Sequence, residues 1–287
     1  MRKRGPMNDA KESIRIGTCS WNYDSWMGLV YSRKAPYSAA YLAEYAQKYS
    51  TVEVDSWFYK IPTEGDAHEY KSQVPPDFNF CCKLSESLSL THARNRDKKA
   101  ALIPNDTLLS PELYAQYADA IRILQPQIFL LELEFEYLNK QKMESVDAFL
   151  RHLEGFVTSI DRSIPLGIEI RNGNYLTRDY FQFLKDHDIV HVFSEKIYMP
   201  HVYEVYEKFG DLLSERTAVR LLGGDRKEIE AKTKGNWNEI VDEKSDLPIV
   251  IDMLKDLSKG ERRIQLYVNN HYEGSAPLTI EKIKGML

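Results

Sequence analysis

Apolar and polar residues alternate over strand-length segments, and these segments are separated by others with helical spacing. The clearest example is the run from Thr51 to Tyr59, which is rich in β-branched and aromatic residues and has carboxylates two positions apart. Glu53 and Asp55 therefore point to one face of a predicted strand, whereas Val52 and Val54 point to the other. One face of this strand is apolar and the other carries two acids.

The same pattern predicts eight strands with helical segments between them. The predicted strands span residues 14–21, 51–59, 79–85, 128–135, 166–172, 188–195, 218–224 and 263–271. The predicted helices include residues 38–49, with Ser38 as N-cap, and residues 112–124, 146–160 and 180–185. Eight strand–helix units in 287 residues predict a single-domain α/β protein, a TIM (β/α)8 barrel, because right-handed crossovers leave few other closed arrangements. An open, doubly wound sheet is the alternative.

The remaining composition restricts the class of protein. We expect residues 1–13 to be a disordered tail before a barrel domain at 14–287, since the tail lacks the apolar stretch of a secretory signal. No run reaches the roughly 20 apolar residues that cross a bilayer, so no membrane partner is expected. A net charge of −5 does not indicate a nucleic-acid partner. Three cysteines, with Cys81 and Cys82 adjacent, fit a reduced cytoplasm.

Strand parity predicts which side chains point into the barrel. Outward side chains contact the helices and should be apolar, so the opposite parity points inward. The predicted inward residues are Glu53, Asp55, Cys81, Lys83, Glu132, Glu134, Glu169, Arg171, Arg220, Gln265, Tyr267 and Asn269. Charges inside a barrel must be paired with opposite charges or serve a function. Two interpretations therefore stay open: a structural network of acids and bases, or a functional site.

Barrel active sites lie at the C-terminal ends of the strands and in the loops that follow, and three such loops are predicted to be long. Residues 22–37 are rich in aromatic side chains, residues 85–111 contain several basic ones, and residues 196–217 form the third loop. Long loops are commonly lids or binding loops, although aromatic residues often pack into the core and basic ones are often solvated.

Several sequence blocks follow one another between about residues 14 and 277. They are GTCSWNYDSWMG at 17–28, VEVDSWFYKIP at 52–62, DFNFCCK at 77–83 with Thr91-His92, Glu169-Ile170-Arg171, and Asn269-Asn270-His271 with Gly274 and Ala276-Pro277. Together these blocks resemble the DUF72 (YecE-like) family. The resemblance implies a TIM barrel and a pocket, in a family whose biochemical activity is not established.

The chain departs from the family pattern at four places. Ser20 stands where the family typically has Gly, and Asn172 stands where it has a His after the fifth-strand Arg. Residues 132–135 lack a Gln followed by a Pro-Pro pair, and residues 220–223 replace Arg-x-His-Gly with Arg-Leu-Leu-Gly. If the family pocket uses either imidazole as a base or a metal ligand, this chain must work without it.

The matching positions supply the candidate site residues. Glu53 and Glu169 are the candidate acid and base, and His271 is the best single imidazole. Arg171 and Arg220, with Lys83 as a third cation, can hold a carboxylate or phosphate. The other residues that we expect to bind substrate are His92, Asn269, Asn270, Trp21 and Tyr23.

These residues favour an enzyme that works by acid-base chemistry, of the hydrolase or lyase type. Its substrate would be a small anionic or polyhydroxylated molecule at the C-terminal mouth of the barrel. A metal held by carboxylates is a variant of this hypothesis, and glycoside cleavage is another. The alternative is a non-catalytic binding module for an anionic ligand or partner. The sequence leaves the cofactor, the substrate and the oligomeric state open.

Overall fold

The computed structural model describes residues 13–95, 101–260 and 262–287, and within them eight parallel strands form a barrel. The strands are β1 (Ile14–Thr18), β2 (Thr51–Val54), β3 (Asn79–Lys83), β4 (Ile128–Glu134), β5 (Leu166–Glu169), β6 (Val190–Lys196), β7 (Arg216–Gly223) and β8 (Arg263–Val268). Their order is β1-β8-β7-β6-β5-β4-β3-β2, and a bridge between Cys19 and Glu53 joins the two ends. The barrel prediction is therefore confirmed over the open sheet.

Helices connect the strands and cover the outside of the barrel. In the described part of the chain the α-helices are α1 (Leu42–Lys48), α2 (Glu64–Ser72), α3 (Glu86–Ser89), α4 (Pro111–Ala120), α5 (Val146–Val157), α6 (Arg178–Asp186), α7 (Val202–Phe209), α8 (Arg226–Thr233), α9 (Leu247–Ser258), α10 (Asn270–Glu273) and α11 (Ala276–Met286). None of these helices combines the length and the apolar character that a bilayer span requires.

Local sequence signals define where the longer helices begin and which face they bury. Ser145 accepts a hydrogen bond from the Ala148 amide at the start of α5, a cap of the kind that contributes about 1 kcal/mol. Phe149, Leu153 and Phe156 then lie buried on one face of α5, at the spacing of an amphipathic helix. The helix therefore docks its apolar face on the barrel and leaves its polar face in solvent.

The seam between β1 and β2 depends on a residue without a side chain. A Cβ atom on Gly17 would lie 2.0 Å from the carbonyl oxygen of Thr51, so only glycine allows the two strands to approach. Beyond this point the Ser20 amide donates to the Glu53 carbonyl at 3.0 Å. The seam thereby fixes the backbone of Glu53, whose side chain belongs to the site described below.

The barrel interior is layered along its axis. Near the N-terminal ends of the strands, Thr51 donates to Gln265 at 2.8 Å, and Gln265 donates to Asn79 at 3.0 Å. An apolar layer is also part of this interior and is formed by Cys19, Cys81, Phe129, Leu130, Val190, Val192, Ala218, Leu222 and Tyr267. Charged side chains lie at the C-terminal mouth.

Several predicted boundaries are wrong, for local reasons. The predicted strands at 14–21, 51–59 and 263–271 end early because the chain turns, as at Ser56–Phe58, where a 3₁₀ helix begins. Ser38 is not the N-cap of α1 but lies inside a 3₁₀ turn, Ser38–Tyr41, that precedes it. The predicted loop at 196–217 contains α7 instead.

Two other predictions concern the tail and the first loops. Residues 1–12 of the expected disordered tail at 1–13 fall outside the described residues, and so do residues 96–100 of the predicted loop at 85–111. In the loop at 22–37, Trp26 and Tyr31 are buried in the core, whereas Tyr37 is exposed. The aromatic residues of this loop therefore serve mainly in packing.

We expect Ser20→Gly to stabilise the fold. Ser20 has a φ of 66°, a left-handed conformation that costs a non-glycine residue roughly 1 to 2 kcal/mol, and glycine stands here in the family pattern. Chemical denaturation should show a gain of about 1 kcal/mol in the free energy of unfolding, less the added entropy of the unfolded chain. Ser32→Gly, at an exposed position whose φ is not positive, is the matched control and should give no gain. A loss of stability in Ser20→Gly would contradict this explanation.

Candidate active site

One buried arginine lies at the centre of the charged layer. Arg220, on β7, is 2% exposed and donates to both oxygens of Glu53 on β2, at 2.6 and 2.7 Å. Its Nη1 atom also donates to Glu169 on β5 and, at 3.0 Å, to Glu134 on β4. A single guanidinium thus joins carboxylates from three other strands, using the planar donor geometry that lysine lacks.

Two more cations complete this network. Lys83 Nζ lies 2.7 Å from an oxygen of Asp55 and 2.7 Å from Glu134 Oε2. Arg171 donates from Nε to Glu169 and lies with Nη2 near Glu134, both at 2.7 Å. The structure therefore brings together eight of the predicted inward residues, which we call the ion network: Glu53, Asp55, Lys83, Glu132, Glu134, Glu169, Arg171 and Arg220.

The ion network contains five carboxylates and three cations, and the directions of the pKa shifts divide the acids into two groups. Burial raises the pKa of Glu53 to about 7, and raises the pKa of Glu132 well above its ordinary value. Burial acts in the same direction on Glu134, but the charges of Lys83, Arg171 and Arg220 hold its pKa well below the ordinary value. Protons on Glu53 and Glu132 thus leave three ionised carboxylates, which balance the three cations.

The ion network is open to solvent on one side. A cavity of about 330 Å³ lies at the mouth of the barrel, and both Glu134 and Arg171 line it. The other lining residues are Phe58, Leu90, Arg94, Glu136, Tyr137, Lys196, Ile197, Tyr198 and Met199. We call this cavity the mouth pocket. Its volume is in the range of small-molecule sites, and its walls combine apolar surface with a few charged groups.

Lys196 is the last residue of β6 and lines the mouth pocket. It makes no side-chain hydrogen bond or ion pair with any residue in the described ranges, in contrast to the three cations of the ion network. Burial, assisted by the charge of Arg171, lowers the pKa of Lys196. An uncompensated amine in a partly buried cleft is a candidate functional group.

The residues after Lys196 form a tight turn in the pocket wall. The Met199 amide donates to the Lys196 carbonyl at 3.1 Å, and Tyr198, at the third position, has a φ of 69°. This position of a type II turn favours glycine, yet it holds a tyrosine that is 93% exposed. Strained residues of this kind cluster at functional sites.

The family model described as "Protein of unknown function DUF72" matches residues 15–287. The chain belongs to the DUF72 family. A DUF72 protein from Enterococcus faecalis V583 has 17% identity and a TM-score of 0.67, with 96% of each chain covered. A second, from Thermotoga maritima MSB8, has 17% identity and a TM-score of 0.67, with 95% of this chain and 98% of that chain covered. At this identity the two structures support the fold alone. No curated protein matches the sequence.

Two positions where the DUF72 pattern has histidine hold residues with structural contacts here. Asn172 is buried, and its side chain accepts from the Leu138 amide at 2.7 Å and donates to the Leu138 carbonyl at 2.9 Å. Leu222 belongs to the apolar layer inside the barrel. Neither replacement leaves a vacant imidazole position in the ion network, because its carboxylates already have Arg171 and Arg220 as partners.

The predicted acid and base lie deeper than the mouth pocket. Glu53 and Glu169 are fully buried, with their oxygens directed at arginines, and neither lines the pocket. His271 lies elsewhere at the mouth, with Nδ1 2.7 Å from Asn269 Oδ1 and its ring 4.8 Å from that of Trp237. Burial lowers the pKa of His271, which favours a neutral imidazole.

The other predicted binding residues are dispersed. Trp21 is buried and donates to the Ser38 carbonyl at 2.9 Å, so it packs rather than lining the mouth pocket. His92 contacts the hydroxyl of Thr91 at 2.9 Å. Asn270 is buried and accepts from the Ala276 amide at 2.9 Å. Tyr23 is half-buried; burial first, and the charge of Asp55 second, raise its pKa.

Three groups of side chains in the described ranges have metal-ligand character. They are Glu53, Cys81 and Glu132; Glu132, Glu134 and Glu169; and Glu195, His201 and Asp246. In the first two groups Arg220 already supplies the positive charge that a cation would bring. In the third, His201 Nδ1 lies 2.8 Å from Glu195 Oε1 and the Val202 amide donates to Glu195. Each group is therefore already engaged with protein partners.

Sequence reasoning missed three residues of the mouth pocket. Glu134 has the inward parity but was not among the predicted site residues, although it is the carboxylate of the ion network that reaches the pocket. Lys196 lies one residue beyond the predicted end of the sixth strand, and Tyr198 lies in the predicted loop. The parity of Lys196 with Val190 and Val192 was the signal that could have found it.

We expect Glu132→Gln to reduce the loss of stability on raising the pH. A carboxyl whose folded pKa lies above its ordinary value of 4.5 stabilises the fold fully below that value, and this contribution is lost as the pH rises toward the folded pKa. Glutamine is neutral throughout. Urea unfolding of both proteins between pH 5 and 8 should therefore give a smaller decline in the free energy of unfolding for the variant.

Glu134→Gln is the matched control, and its effect on the pH dependence of stability should have the opposite sign. The lowered pKa of Glu134 means that its contribution is present above pH 4.5 and is lost as the pH falls. At pH 7 its removal leaves three cations with one acid fewer, and we expect a loss of roughly 3 kcal/mol. Equal pH profiles for the two variants would contradict the division of the acids into two groups.

Proposed function

We propose that the protein is an enzyme that binds a small anionic substrate in the mouth pocket and acts on it by acid-base chemistry. One observation carries the proposal. The ion network ends at the pocket, whose lining includes the partly exposed Glu134 and Arg171 and also Lys196, which has no ion pair in the described ranges. A network that served only to close the barrel would not need a further cation without an ion pair at its open edge.

Arg171 and Lys196 supply the positive side of the pocket. Arg171 is held by Glu134 and Glu169, so its guanidinium has a fixed direction. Lys196 has no such partner in the described ranges and is free to pair with an anion of the ligand. Arg94 adds a third cation at the rim and pairs with Glu86 at 2.6 Å. This arrangement favours a carboxylate or phosphate group.

Glu134 and Lys196 supply the acid-base pair. The lowered pKa of Glu134 keeps it ionised, as a base must be, whereas the lowered pKa of Lys196 makes its proton easier to release. This pair supports a hydrolase- or lyase-type reaction. Glu53 and Glu169, which lie behind the pocket, would then position Arg220 and Arg171.

A binding module is the second candidate. The observation that favours it is that Glu134 contacts three cations, Lys83, Arg171 and Arg220, and such pairing weakens a carboxylate as a base. The two candidates share the pocket and differ only in turnover.

We expect Lys196→Ala to abolish anion binding without loss of the fold. A thermal-shift screen with phosphates, carboxylates, sugars and nucleotides should raise the melting temperature of the wild type, since a ligand at 100 times its Kd adds about 2.7 kcal/mol. Lys259→Ala, at a largely exposed lysine of the outer surface, is the control and should keep the shift.

The results separate the two candidates. A shift that is lost only in Lys196→Ala, together with turnover of the same compound that Glu134→Gln abolishes, supports the enzyme. The same shift without turnover supports the binding module. An anion shift that Lys196→Ala retains would contradict both.

We expect Tyr198→Gly to stabilise the protein and weaken ligand binding. Glycine removes the cost of the positive φ, about 1 kcal/mol, but also removes an aromatic ring from the pocket wall. Tyr137→Gly is the matched control, because Tyr137 is 63% exposed and lines the pocket without a positive φ. It should weaken binding with no gain in stability. Retained binding in Tyr198→Gly would show that the strained tyrosine does not contact the ligand.

A further inference from the structure

The amine of Lys196 differs from the other cations at the barrel mouth in its surroundings. Lys83, Arg171 and Arg220 each contact at least two carboxylates, and Lys142, near the pocket, pairs with Glu136 at 2.5 Å. Lys196 has no such partner among the described residues. The charges of Glu169 and Glu134 favour the charged form of Lys196, but burial and the charge of Arg171 outweigh them and lower the pKa of the amine.

Strand parity directs Lys196 toward the pocket, since it shares the inward side of β6 with Val190 and Val192. The turn that follows brings Ile197, Tyr198 and Met199 into the same wall.

We propose that Lys196 is a nucleophile that forms a Schiff base with a small aldehyde or ketone bearing an anionic group. The proposal rests on the proposed function, in that the same pocket binds the anion. Lysine serves this chemistry where a hydrophobic pocket or a neighbouring cation favours the neutral amine. Lys196 is partly buried and has Arg171 in the same pocket, and both lower the pKa of its amine.

The reaction is a balanced condensation. The neutral amine nitrogen bonds to the carbonyl carbon and gives a carbinolamine, as one proton moves from nitrogen to oxygen. The carbinolamine then expels its oxygen as water, taking the remaining proton of the nitrogen, and the carbon–nitrogen double bond forms. Glu134 lines the same pocket and is ionised, so it can carry these protons between nitrogen and oxygen.

The pocket also limits the carbonyl compound. A cavity of about 330 Å³ has room for a small molecule, and Arg171 and Arg94 provide the contacts for its anionic group. The substrate class is therefore a small aldehyde or ketone that carries a carboxylate or a phosphate, rather than a neutral one.

Reductive trapping on the full chain tests the proposal. The wild type is incubated at pH 7 with glyoxylate, with glycolaldehyde phosphate or with neutral propanal, each at limiting concentration, and is reduced with sodium cyanoborohydride. Peptide mass spectrometry then locates the adducts. We expect Lys196 to be the principal modified lysine with an anionic probe, several-fold ahead of the paired Lys142 and of the exposed lysines, and propanal to show less preference.

Lys196→Arg keeps the positive charge and should lose the adduct while retaining the wild-type melting temperature. Stronger trapping with glyoxylate than with glycolaldehyde phosphate identifies a carboxylate substrate, and the reverse identifies a phosphate. Adducts spread over the exposed lysines, with Lys196 not preferred, would overturn the Schiff base. In that case, a rise in melting temperature with anions that depends on Lys196 would still support the anion pocket. Without such a rise, the proposed function fails as well.

Discussion

The structure depends on pairing the charge of one buried guanidinium. Arg220 holds Glu53, Glu134 and Glu169, which come from three other strands, and so joins opposite sides of the barrel through its interior. Leaving these buried acids without their partner would cost roughly 3 to 5 kcal/mol, a large fraction of the stability of an ordinary domain. The side chains of the ion network therefore constrain one another, so the effects of single substitutions within it on the free energy of unfolding are not additive.

This constraint also bears on where the proposed chemistry would take place. Acids surrounded by cations are fixed in direction but are weak bases, and Glu134, which contacts Lys83, Arg171 and Arg220, is one of them. Glu134 and Arg171 also line the mouth pocket, so a ligand bound there would contact the network at these two residues. The buried members then act as a rigid support, the role that positioning residues play in preorganised sites.

Much of the fold and part of this site could be predicted from the sequence. Side-chain direction in a strand repeats every two residues, so parity alone placed Glu53, Lys83, Glu169 and Arg220 in the interior. Parity does not say which acid meets which base, nor which oxygen faces solvent, because both depend on register between strands that are distant in sequence. The irregular pairing of β6 with β7, where Leu222 is the extra residue on β7, has no signature in the local pattern.

Two residues whose local environments are unfavourable for folding lie close together in the structure. Lys196 is a partly buried cation without a partner in the described ranges, and Tyr198, two residues later, is an exposed aromatic in a conformation that favours glycine. Each lowers the stability of the fold, and neither is compensated by packing. Proteins keep such features mainly where function requires them, because a sequence free of that requirement would replace them at little cost. The turn from Lys196 to Met199 is therefore the segment in which the needs of folding and of ligand chemistry diverge most.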